Sequence, residues 1–394
     1  MKKKMKIAVL TSGILPIPAV QGGAVENLID YYLEYNDIHK LHDITVFSVY
    51  NKKVRKQSAL KSEVNHYKYV NTQSLLFKIG AKIFAKRQRK QFYYYYQIEY
   101  FLELIIKKMK KSHFDLIILE NRPGYAIRLA EEFKTPIISH IHTNLLHIPS
   151  EENLKVMSVT KGFISVSEYI KNEIKKIGIK KEIRVVYNGL DADIFNRKNI
   201  IPISRAELGF KENDFIVIFW GRLVPDKGIK ELILAIQQLK DYEDIKLLVI
   251  GGINYADSEN DTNVFHKELK EIAQELDNRV KFTGFIPYKE IPRYLSIANV
   301  SAIPSHINEA FGMTCIEACA MGLPVIATND GGIPETLIGQ KHLLLDKSHD
   351  LQKQIAEAII EIKNNYHDYL GNYLNTSFTK ESFGISFFSS IMQI

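Results

Sequence analysis

Cysteine and tryptophan are scarce in this chain. Its 394 residues include two cysteines and one tryptophan. Cys315 and Cys319 are four residues apart on one predicted helix, where a disulfide is geometrically disfavoured, and no third cysteine could help to complete a zinc site. A disulfide scaffold and a cysteine-rich metal domain are therefore excluded. Small buried thiols in a reducing cytoplasm are the better interpretation.

Long hydrophobic runs are also missing, because none approaches the ~20 residues that cross a bilayer. The start of the chain, lysine-rich and then apolar, imitates a signal peptide. However, Pro16 and Pro18 interrupt any apolar helix, and Gly22 and Gly23 follow. We therefore expect a buried first strand at residues 6–11. With 46% hydrophobic residues, the chain can bury the cores of two or three domains.

The usual nucleotide-binding signatures are absent from the first loop. A strand at 6–11, a Gly/Pro-rich loop and a helix at 24–36 follow one another, as in an open parallel sheet that binds nucleotides. The loop contains neither G-x-G-x-x-G nor the P-loop lysine pattern, so neither dinucleotide nor ATP chemistry is indicated. Gly22 and Gly23 are candidate substrate-binding residues, although a plain tight turn explains them nearly as well.

The sequence does contain a repeated alternation of apolar strands and helices. Further strands of the first half are predicted at residues 44–49, 115–119, 136–140, 162–166 and 183–187. Strands of the second half are predicted at residues 215–220, 246–251, 280–282, 300–304 and 325–327. Residues 188–195 separate two open α/β sheets in series, and ligands are expected in the crevice between them.

The stretch from Ser305 to Glu317 carries the strongest functional signal. We predict a loop with Glu309, a helix that begins near Gly312 and a stop at residues 322–324. The amides of the first turn favour an anion such as a diphosphate, by roughly 0.3–1 kcal/mol for the helix dipole alone. Glu317 points where the hydroxyls of a nucleotide could donate hydrogen bonds. A capped surface helix with two solvated glutamates is the alternative.

Two further patterns bear on phosphate binding. Arg222 and Lys227, five residues apart near a glycine at the end of a strand, make a good phosphate clamp. Asp191 and Asp193 form an aspartate-x-aspartate pair, a pattern that holds a divalent ion at a diphosphate in metal-dependent sugar transferases. Because this pair lies in a linker beside a turn-forming Asn-Gly, a turn is the preferred interpretation.

Histidines cluster just after the predicted strand at 136–140. His140, His142 and His147 make a zinc site conceivable. Their spacing is not that of a helix, and no acidic ligand is evident nearby. We therefore predict that the protein has no metal site and requires no cofactor.

The second half resembles the donor-binding domain of glycosyltransferase family 4, the retaining enzymes of the GT-B fold. The motifs that carry the resemblance are Gly221-Arg222-(four residues)-Lys227-Gly228, Glu309-Ala-Phe-Gly-Met-Thr-Cys-Ile-Glu317, Gly322-Leu-Pro-Val-Ile-Ala, and Gly331-Gly332 with Glu335. The first half matches more loosely, through Gly22-Gly23-Ala-Val-Glu26, residues 136–142 and Asn188-Gly-Leu-Asp191.

This resemblance implies an α/β fold, with two Rossmann-like domains that face each other across a cleft. Residues 1–190 would form the acceptor-binding domain, and residues 191–375 the donor-binding domain. A C-terminal helix at 376–394 would cross back to the first domain.

The resemblance also implies site residues. The catalytic residues would be Arg222, Lys227, Glu309 and His142. The substrate-binding residues would be Gly22, Gly23, Phe311, Gly312, Met313 and Glu317. In such a site the two cations neutralise the departing diphosphate without a metal, Glu309 holds hydroxyls of the donor sugar, Glu317 binds the ribose, and His142 lies near the sugar.

The implied activity is retaining transfer of a sugar from a nucleotide-diphosphate sugar, most often a UDP-sugar, to a saccharide or lipid-linked saccharide. The implied pathway is the synthesis of a cell-surface polysaccharide or glycoconjugate. No carboxyl pair for glycosidase-like double displacement can be placed, so we expect same-face attack. A sugar-nucleotide epimerase, a phosphorylase, and a catalytically silent coat or scaffold protein are the alternatives.

Positive charge is concentrated in one segment. Residues 51–111 contain 16 Lys/Arg and three acidic residues, whereas the whole chain has a net charge of +7. We predict a long basic helix at 73–111 that docks on an anionic membrane. A solvated helix whose aromatic side packs on its own domain is the alternative, and no nucleic-acid module is visible. We therefore expect a cytoplasmic enzyme, peripheral on the inner face of the membrane.

Overall fold

The computed structural model describes residues 4–88, 93–252 and 264–394. The chain folds into two compact units. Unit 1 comprises Met1–Gly189 and Lys380–Ile394, and unit 2 comprises Leu190–Thr379. Unit 2 is thus an insertion in unit 1. The corresponding boundaries were predicted at residues 190 and 376.

Unit 1 has a parallel sheet with helices on both faces. Its strands are β1 Lys6–Leu10, β2 Asp43–Val49, β3 Asn65–Val70, β4 Leu116–Glu120, β5 Ile137–Ile141, β6 Gly162–Ser165 and β7 Glu182–Val185. They pair in the order β3-β2-β1-β4-β5-β6-β7. Its helices are α1 Ala24–His39, α2 Leu75–Gln88, α3 Tyr96–Met109, α4 Tyr125–Glu132, α5 Glu151–Val159 and α6 Glu168–Lys175. Because helices cover both faces, a central strand such as β4 has four consecutive apolar residues before it ends at Glu120.

The last helix of the chain, α13 (Lys380–Gln393), completes unit 1. Phe383 and Phe387 are fully buried, and the Phe387 ring stacks on Tyr32 of α1 with centroids 4.1 Å apart. A Cβ at Gly384 would lie 2.5 Å from the ring of Tyr35, so a glycine is needed for the two helices to approach this closely. The aromatic face of α13 is therefore part of the core of unit 1.

Unit 2 repeats the architecture with fewer strands. Its strands are β8 Phe215–Trp220, β9 Ile245–Ile250, β10 Val280–Phe282, β11 Val300–Ile303, β12 Val325–Thr328 and β13 His342–Leu345. They are parallel and pair in the order β10-β9-β8-β11-β12-β13. Its helices are α7 Ile229–Gln238, α8 Val264–Gln274, α9 Ile291–Leu295, α10 Met313–Ala320, α11 Ile333–Thr336 and α12 Leu351–Asn364.

In each sheet the direction of strand addition reverses once, between β1 and β4 in unit 1 and between β8 and β11 in unit 2. The loops on either side of such a reversal turn to opposite faces of the sheet. They leave a crevice at the carboxyl edge, which is where open α/β sheets bind ligands. In unit 2 these loops are residues 221–228 and 304–312, which contain most of the predicted site.

The prediction of one long helix at residues 73–111 is wrong. Two helices, α2 and α3, pack against each other, and Tyr95 between them is extended, with φ −66° and ψ 141°. Tyr93 and Tyr94 fold back onto Gly124 and Tyr125. Aromatic packing on the start of α4 thus outweighs helix propensity at this point. Residues 89–92 of the predicted helix lie outside the described residues.

Two strands, β3 and β13, were not predicted. Both lie at an edge of their sheet. β3 is mostly polar and aromatic, and the apolar run of β13 is only three leucines long, so neither has the longer apolar run that identifies a central strand. None of the described helices combines the length and the apolar composition needed to span a membrane.

Replacing Phe387 with alanine should lower the free energy of unfolding by about 3–5 kcal/mol, because it leaves a cavity beneath Tyr32. Urea unfolding followed by circular dichroism measures this change. Ile385→Ala is the control, since Ile385 lies on the same helix and is 50% exposed. It should cost less than about 1 kcal/mol. Equal losses in the two variants would contradict the described packing of α13.

Candidate active site

The loops after β8 and β11 pack backbone against backbone. Gly228 has a φ of 69°, and a Cβ there would lie 1.9 Å from the carbonyl oxygen of Pro304. The amide of His306 donates to the carbonyl oxygen of Asp226 at 2.7 Å. Only glycine permits both this φ and this approach. The contact holds the loop of Lys227 against the segment that carries the predicted glutamates.

Lys227 and Glu309 form an ion pair across these two loops. Their side chains are 23% and 19% exposed, so a ligand can reach both. Arg222 is exposed, and no ion pair or hydrogen bond of its side chain is found in the described part of the chain. The structure therefore brings Lys227 and Glu309 together and leaves Arg222 available. An anion at Lys227 has to compete with Glu309.

Glu309 is fixed by contacts from several loops. Its amide donates to Asp330 Oδ2 at 3.3 Å, and its carbonyl oxygen accepts from the Gly332 amide at 2.7 Å. Ser305 Oγ donates to Glu309 Oε1 at 3.3 Å. Asp330 is itself paired with Lys347 at 2.6 Å. These contacts fix the position of Glu309.

Helix α10 begins where it was predicted to begin. Gly312, with a φ of 108°, immediately precedes Met313, the first residue of the helix. Phe311 is buried, and its ring meets Phe378 edge-on with centroids 5.6 Å apart. The first amides of a helix have no acceptor within it, so this end offers donors to an anion. The assignment of Phe311, Gly312 and Met313 to substrate stays a prediction.

Glu317 of α10 is buried, and each of its carboxylate oxygens accepts a hydrogen bond. Trp220 Nε1 donates to Oε2 at 2.7 Å, and the Tyr288 hydroxyl donates to Oε1 at 3.0 Å. Burial raises the pKa of Glu317 to about 7, against the opposing effect of these two donors. A carboxylate oxygen can accept more than one hydrogen bond, so a ribose diol remains chemically acceptable.

Gly22 and Gly23 of unit 1 form the turn before α1. Gly22 has a φ of 76°, and its amide donates to the Ala19 carbonyl oxygen at 3.1 Å. Gly23 has a φ of 104°, and a Cβ there would lie 2.1 Å from Glu26 Oε2. The tight turn that was the alternative for these glycines is therefore present. A substrate-binding role for the two glycines stays a prediction.

His142 of unit 1 lies in a buried cluster with His140 and Glu120. His142 Nε2 and His140 Nδ1 lie 2.9 Å and 3.1 Å from the same oxygen, Glu120 Oε2. The Tyr32 hydroxyl donates to Glu120 Oε1 at 3.0 Å. Burial favours the neutral acid, but the two imidazoles lower the pKa of Glu120 to about 2. Burial and the neighbouring His140 lower the pKa of His142 to about 4.

This cluster contradicts the expectation that no acidic ligand lies near the histidines. Within the described residues, Glu120, His140 and His142 place one potential ligand atom each within 4.8 Å of one another, and His147 is not among them. Glu120 pairs with His140 in the register of β4 and β5. Adjacent strand ends at the carboxyl edge are the signal that could have identified Glu120. The absence of a required metal stays a prediction.

Asp191 and Asp193 form a turn. The amide of Asp193 donates to Asp191 Oδ1 at 3.0 Å, and the amides of Ile194 and Phe195 donate to the Asp191 carbonyl oxygen at 3.1 Å and 3.0 Å. This geometry agrees with the turn that was preferred from the sequence. The residues that sequence reasoning missed in unit 2 are Trp220 and Tyr288, which hold Glu317 through hydrogen bonds.

Two family models match successive parts of the chain. The model described as Glycosyl transferases group 1 matches residues 200–375, and the model described as Glycosyltransferase Family 4 matches residues 42–194. The fold and these matches define a glycosyltransferase of the GT-B class. The chain belongs to glycosyltransferase family 4, group 1. The predicted family and fold are confirmed.

Relatives with similar sequences bear several names. Spore coat protein SA of Bacillus subtilis (strain 168) is 26% identical over 384 residues, which cover 94% of this chain and 93% of that protein. D-inositol 3-phosphate glycosyltransferase of Corynebacterium glutamicum (strain R) is 34% identical over 172 residues, 42% of this chain and 40% of that protein. Among solved structures, Anabaena Alr3699/HepE in complex with UDP-glucose has a TM-score of 0.72 at 21% identity, covering 99% of this chain and 100% of that chain.

The stability of unit 2 should depend on the protonation of Glu317. In the unfolded chain this carboxyl ionises near its ordinary pKa of 4.5, and in the folded chain near 7. The unfolded state therefore loses the proton first, and the contribution of Glu317 to stability falls as the pH rises through this window. Glu317→Gln removes that dependence. Between pH 5 and pH 8, the free energy of unfolding of this variant should therefore rise by about 2–3 kcal/mol relative to that of the wild type.

Urea unfolding at several pH values measures this difference. Trp220, the single tryptophan, reports on unit 2 by fluorescence. Glu290→Gln, at a more exposed position of unit 2, is the control and should show no such trend. A stability difference between Glu317→Gln and wild type that is constant with pH would contradict the raised pKa.

Proposed function

We propose that the enzyme is a retaining glycosyltransferase that moves a sugar from a UDP-sugar to a saccharide or lipid-linked saccharide, in the synthesis of a cell-surface polysaccharide or glycoconjugate. The observation that carries this proposal is the arrangement in unit 2. Lys227 and Glu309 are in contact at the strand reversal, next to the start of α10, and Glu317 is buried in the same helix. The cation and the helix amides suit the diphosphate of a nucleotide sugar, and the carboxylates suit the hydroxyls of its sugar and its ribose.

The chemical logic assigns one task to each group. Breaking the bond between sugar and diphosphate builds negative charge on the diphosphate, which Arg222, Lys227 and the first amides of α10 would stabilise. Release of Lys227 to the diphosphate frees the carboxylate of Glu309 to accept hydrogen bonds from sugar hydroxyls. Glu317 would accept from the ribose, and His142 would contact the donor sugar. A UDP-sugar is supported by the UDP-glucose complex of the structural neighbour HepE.

We also propose that transfer is independent of a metal and retains the anomeric configuration. Fixed cations can supply the charge that a divalent ion would otherwise provide. Asp191 and Asp193, the pair that would have suggested such an ion, form a turn. Same-face attack, in which the departing phosphate takes the acceptor's proton, needs no carboxylate nucleophile. Full activity in the presence of a chelator and a product with the donor's anomeric configuration, seen by NMR, would support both statements.

A catalytically silent coat protein is the second candidate, since one relative bears the name spore coat protein SA. A catalytically silent protein does not require Arg222, Lys227, Glu309 and Glu317, and this chain contains all four. Hydrolysis of a nucleotide sugar in the absence of acceptor discriminates between the two. Turnover across a panel of UDP-, GDP- and ADP-sugars supports the enzyme, and no turnover with any of them supports the coat protein.

Lys227→Ala and Glu309→Ala should each lower kcat about 10²–10³-fold, because each removes a group that meets charge or hydroxyls in the transition state. The double variant Asp191→Asn with Asp193→Asn is the matched control, and it should retain activity because this pair forms a turn. The measurement is release of nucleoside diphosphate at saturating donor. Wild-type kcat in Lys227→Ala would refute the donor-site assignment.

We further propose that α2 docks on an anionic membrane that carries the acceptor. One face of this helix exposes four large apolar side chains: Leu75 (72%), Leu76 (83%), Ile79 (47%) and Ile83 (46%). At about 100° a residue they fall within one third of the helix circumference. The cations beside them on the exposed surface are Lys78, Lys82, Lys86 and Arg87. An interfacial helix has this arrangement.

The opposite face of α2 packs on unit 1. This agrees with the alternative interpretation, in which the aromatic side of the helix packs on its own domain. Phe77 is buried, and the Phe84 ring lies 5.6 Å from that of Tyr100. The aromatic side is therefore used for folding, and the exposed apolar side is not. Since it is a different face that is exposed, internal packing does not account for Leu75 and Leu76. An anionic lipid surface complements both their apolar character and the neighbouring charge.

Changing Lys78, Lys82 and Lys86 to Glu should weaken binding to vesicles of phosphatidylcholine and phosphatidylglycerol by at least about 100-fold, because each cation contributes about 1 kcal/mol. Co-sedimentation measures this. The control changes three exposed lysines of unit 2, Lys267, Lys270 and Lys281, to Glu and should bind as the wild type does. If the wild type ignores anionic vesicles at low salt, the membrane proposal fails and a soluble acceptor is favoured.

A further inference from the structure

The carboxylate of Glu120 is fully buried at the end of β4, and its described partners are Tyr32, His140 and His142. A buried carboxylate costs several kcal/mol unless hydrogen bonds or charges compensate it. Tyr32 compensates one oxygen, and the two imidazoles converge on the other. Such an arrangement suits either a proton network or a bound cation.

The described geometry is that of the proton network. Bonds of about 2.0–2.1 Å at tetrahedral angles would place two ligand atoms on one zinc ion about 3.3 Å apart. His142 Nε2 lies 2.9 Å from Glu120 Oε2, which is shorter than this separation and is ordinary for a charge-assisted hydrogen bond. The nitrogen thus contacts the oxygen directly. Because a carboxylate can only accept, His142 Nε2 must carry the proton that it donates.

This contact decides where the remaining lone pair of His142 lies. A neutral imidazole has one N–H, so protonation at Nε2 leaves Nδ1 as an acceptor. His142 Nδ1 is buried and has no hydrogen-bond partner in the described part of the chain. A buried acceptor without a donor is unfavourable, and a ligand hydroxyl would satisfy it.

Helix α13 fixes the partners of Glu120. The Phe387 ring stacks on Tyr32 at 4.1 Å, and its centroid lies 5.5 Å from that of His140. The backbone amide of His142 donates to Asn121 Oδ1 at 3.2 Å, so His142 is also held from its main chain. These contacts hold Tyr32, His140 and His142 in place around Glu120.

We propose that Glu120 is a positioning residue. Oriented by the Tyr32 hydroxyl, it fixes the proton of His142 on Nε2 and so presents Nδ1 as an acceptor for a hydroxyl of the donor sugar. The proposal rests on the proposed function, in which His142 contacts that sugar. Its structural part, the position of the proton, can be tested without any substrate.

The first experiment is long-range ¹H–¹⁵N NMR of protein labelled at histidine, between pH 6 and pH 8. His142→Asn identifies the signals of His142. We expect the N–H of His142 on Nε2 in the wild type. In Glu120→Gln, the Tyr32 hydroxyl retains the amide oxygen and the amide NH₂ faces the imidazole, so the proton of His142 should move to Nδ1. Protonation of Nδ1 in the wild type would overturn the proposal.

The second experiment measures transfer and nucleotide binding in the same variants. Glu120→Gln should lower kcat by roughly 10–100-fold, because His142 Nδ1 would then carry a proton and lose the hydrogen bond that it accepts. The Kd for UDP, read from Trp220 fluorescence, should not change, because the proposed UDP ligands are in unit 2. Tyr32→Phe should lower kcat less. Glu173→Gln, at another buried glutamate of unit 1, should match the wild type.

The outcomes separate this proposal from the proposed function. If no nucleotide sugar is turned over but NMR places the proton of His142 on Nε2, the proposed function fails. The structural part of the Glu120 proposal then stands. Wild-type kcat in a folded Glu120→Gln variant overturns the role of Glu120 in transfer. One equivalent of zinc in the purified wild type, absent from Glu120→Gln, overturns the proton network in favour of a metal site. If Glu120→Gln does not fold, Tyr32→Phe and the wild-type spectrum decide.

Discussion

The candidate site of unit 2 depends on the close approach of backbone segments where the strand order reverses. A Cβ at Gly228 would lie 1.9 Å from the Pro304 carbonyl oxygen, and one at Gly331 would lie 2.1 Å from that of Glu309. No side chain fits at either place. Any larger residue would push the loops apart and separate Lys227 from Glu309. The charged groups can therefore be close because glycine occupies both points of closest backbone approach.

Three glutamates of this chain occupy three environments, and their chemistry differs accordingly. Glu309 is partly exposed and paired with a lysine. Glu317 is buried with two neutral donors, and its pKa rises to about 7. Glu120 is equally buried, but neighbouring imidazoles lower its pKa to about 2. Burial alone therefore does not decide the charge of a carboxyl group, because the groups that donate hydrogen bonds to it also shift its pKa. Of the two buried glutamates, Glu317 is the one poised to change its charge near neutral pH.

Much of the fold and of the unit 2 site was predictable, because both depend on local signals. Gly312 before an apolar helix predicts a helix start, and it is one. What sequence could not supply is contact between distant segments. Glu120 and His142 are 22 residues apart and meet because β4 and β5 are neighbours. Trp220 and Glu317 are 97 residues apart. The segment around Tyr95 was predicted as helix because the packing of Tyr93 and Tyr94 on the start of α4 is a tertiary effect that no local pattern expresses.

The insertion of unit 2 has a consequence for biosynthesis. Residues 380–394 leave the ribosome after every residue of unit 2, although they complete the core of unit 1. Until then the Tyr32 ring and the neighbouring helix face have no partner from α13, whereas unit 2 already has all of its strands. The order of domain folding along a growing chain is usually from the amino end. Here unit 2 has all of its strands before unit 1 has its last helix. Until α13 emerges, the nascent chain exposes an apolar surface of unit 1 to which chaperones can bind.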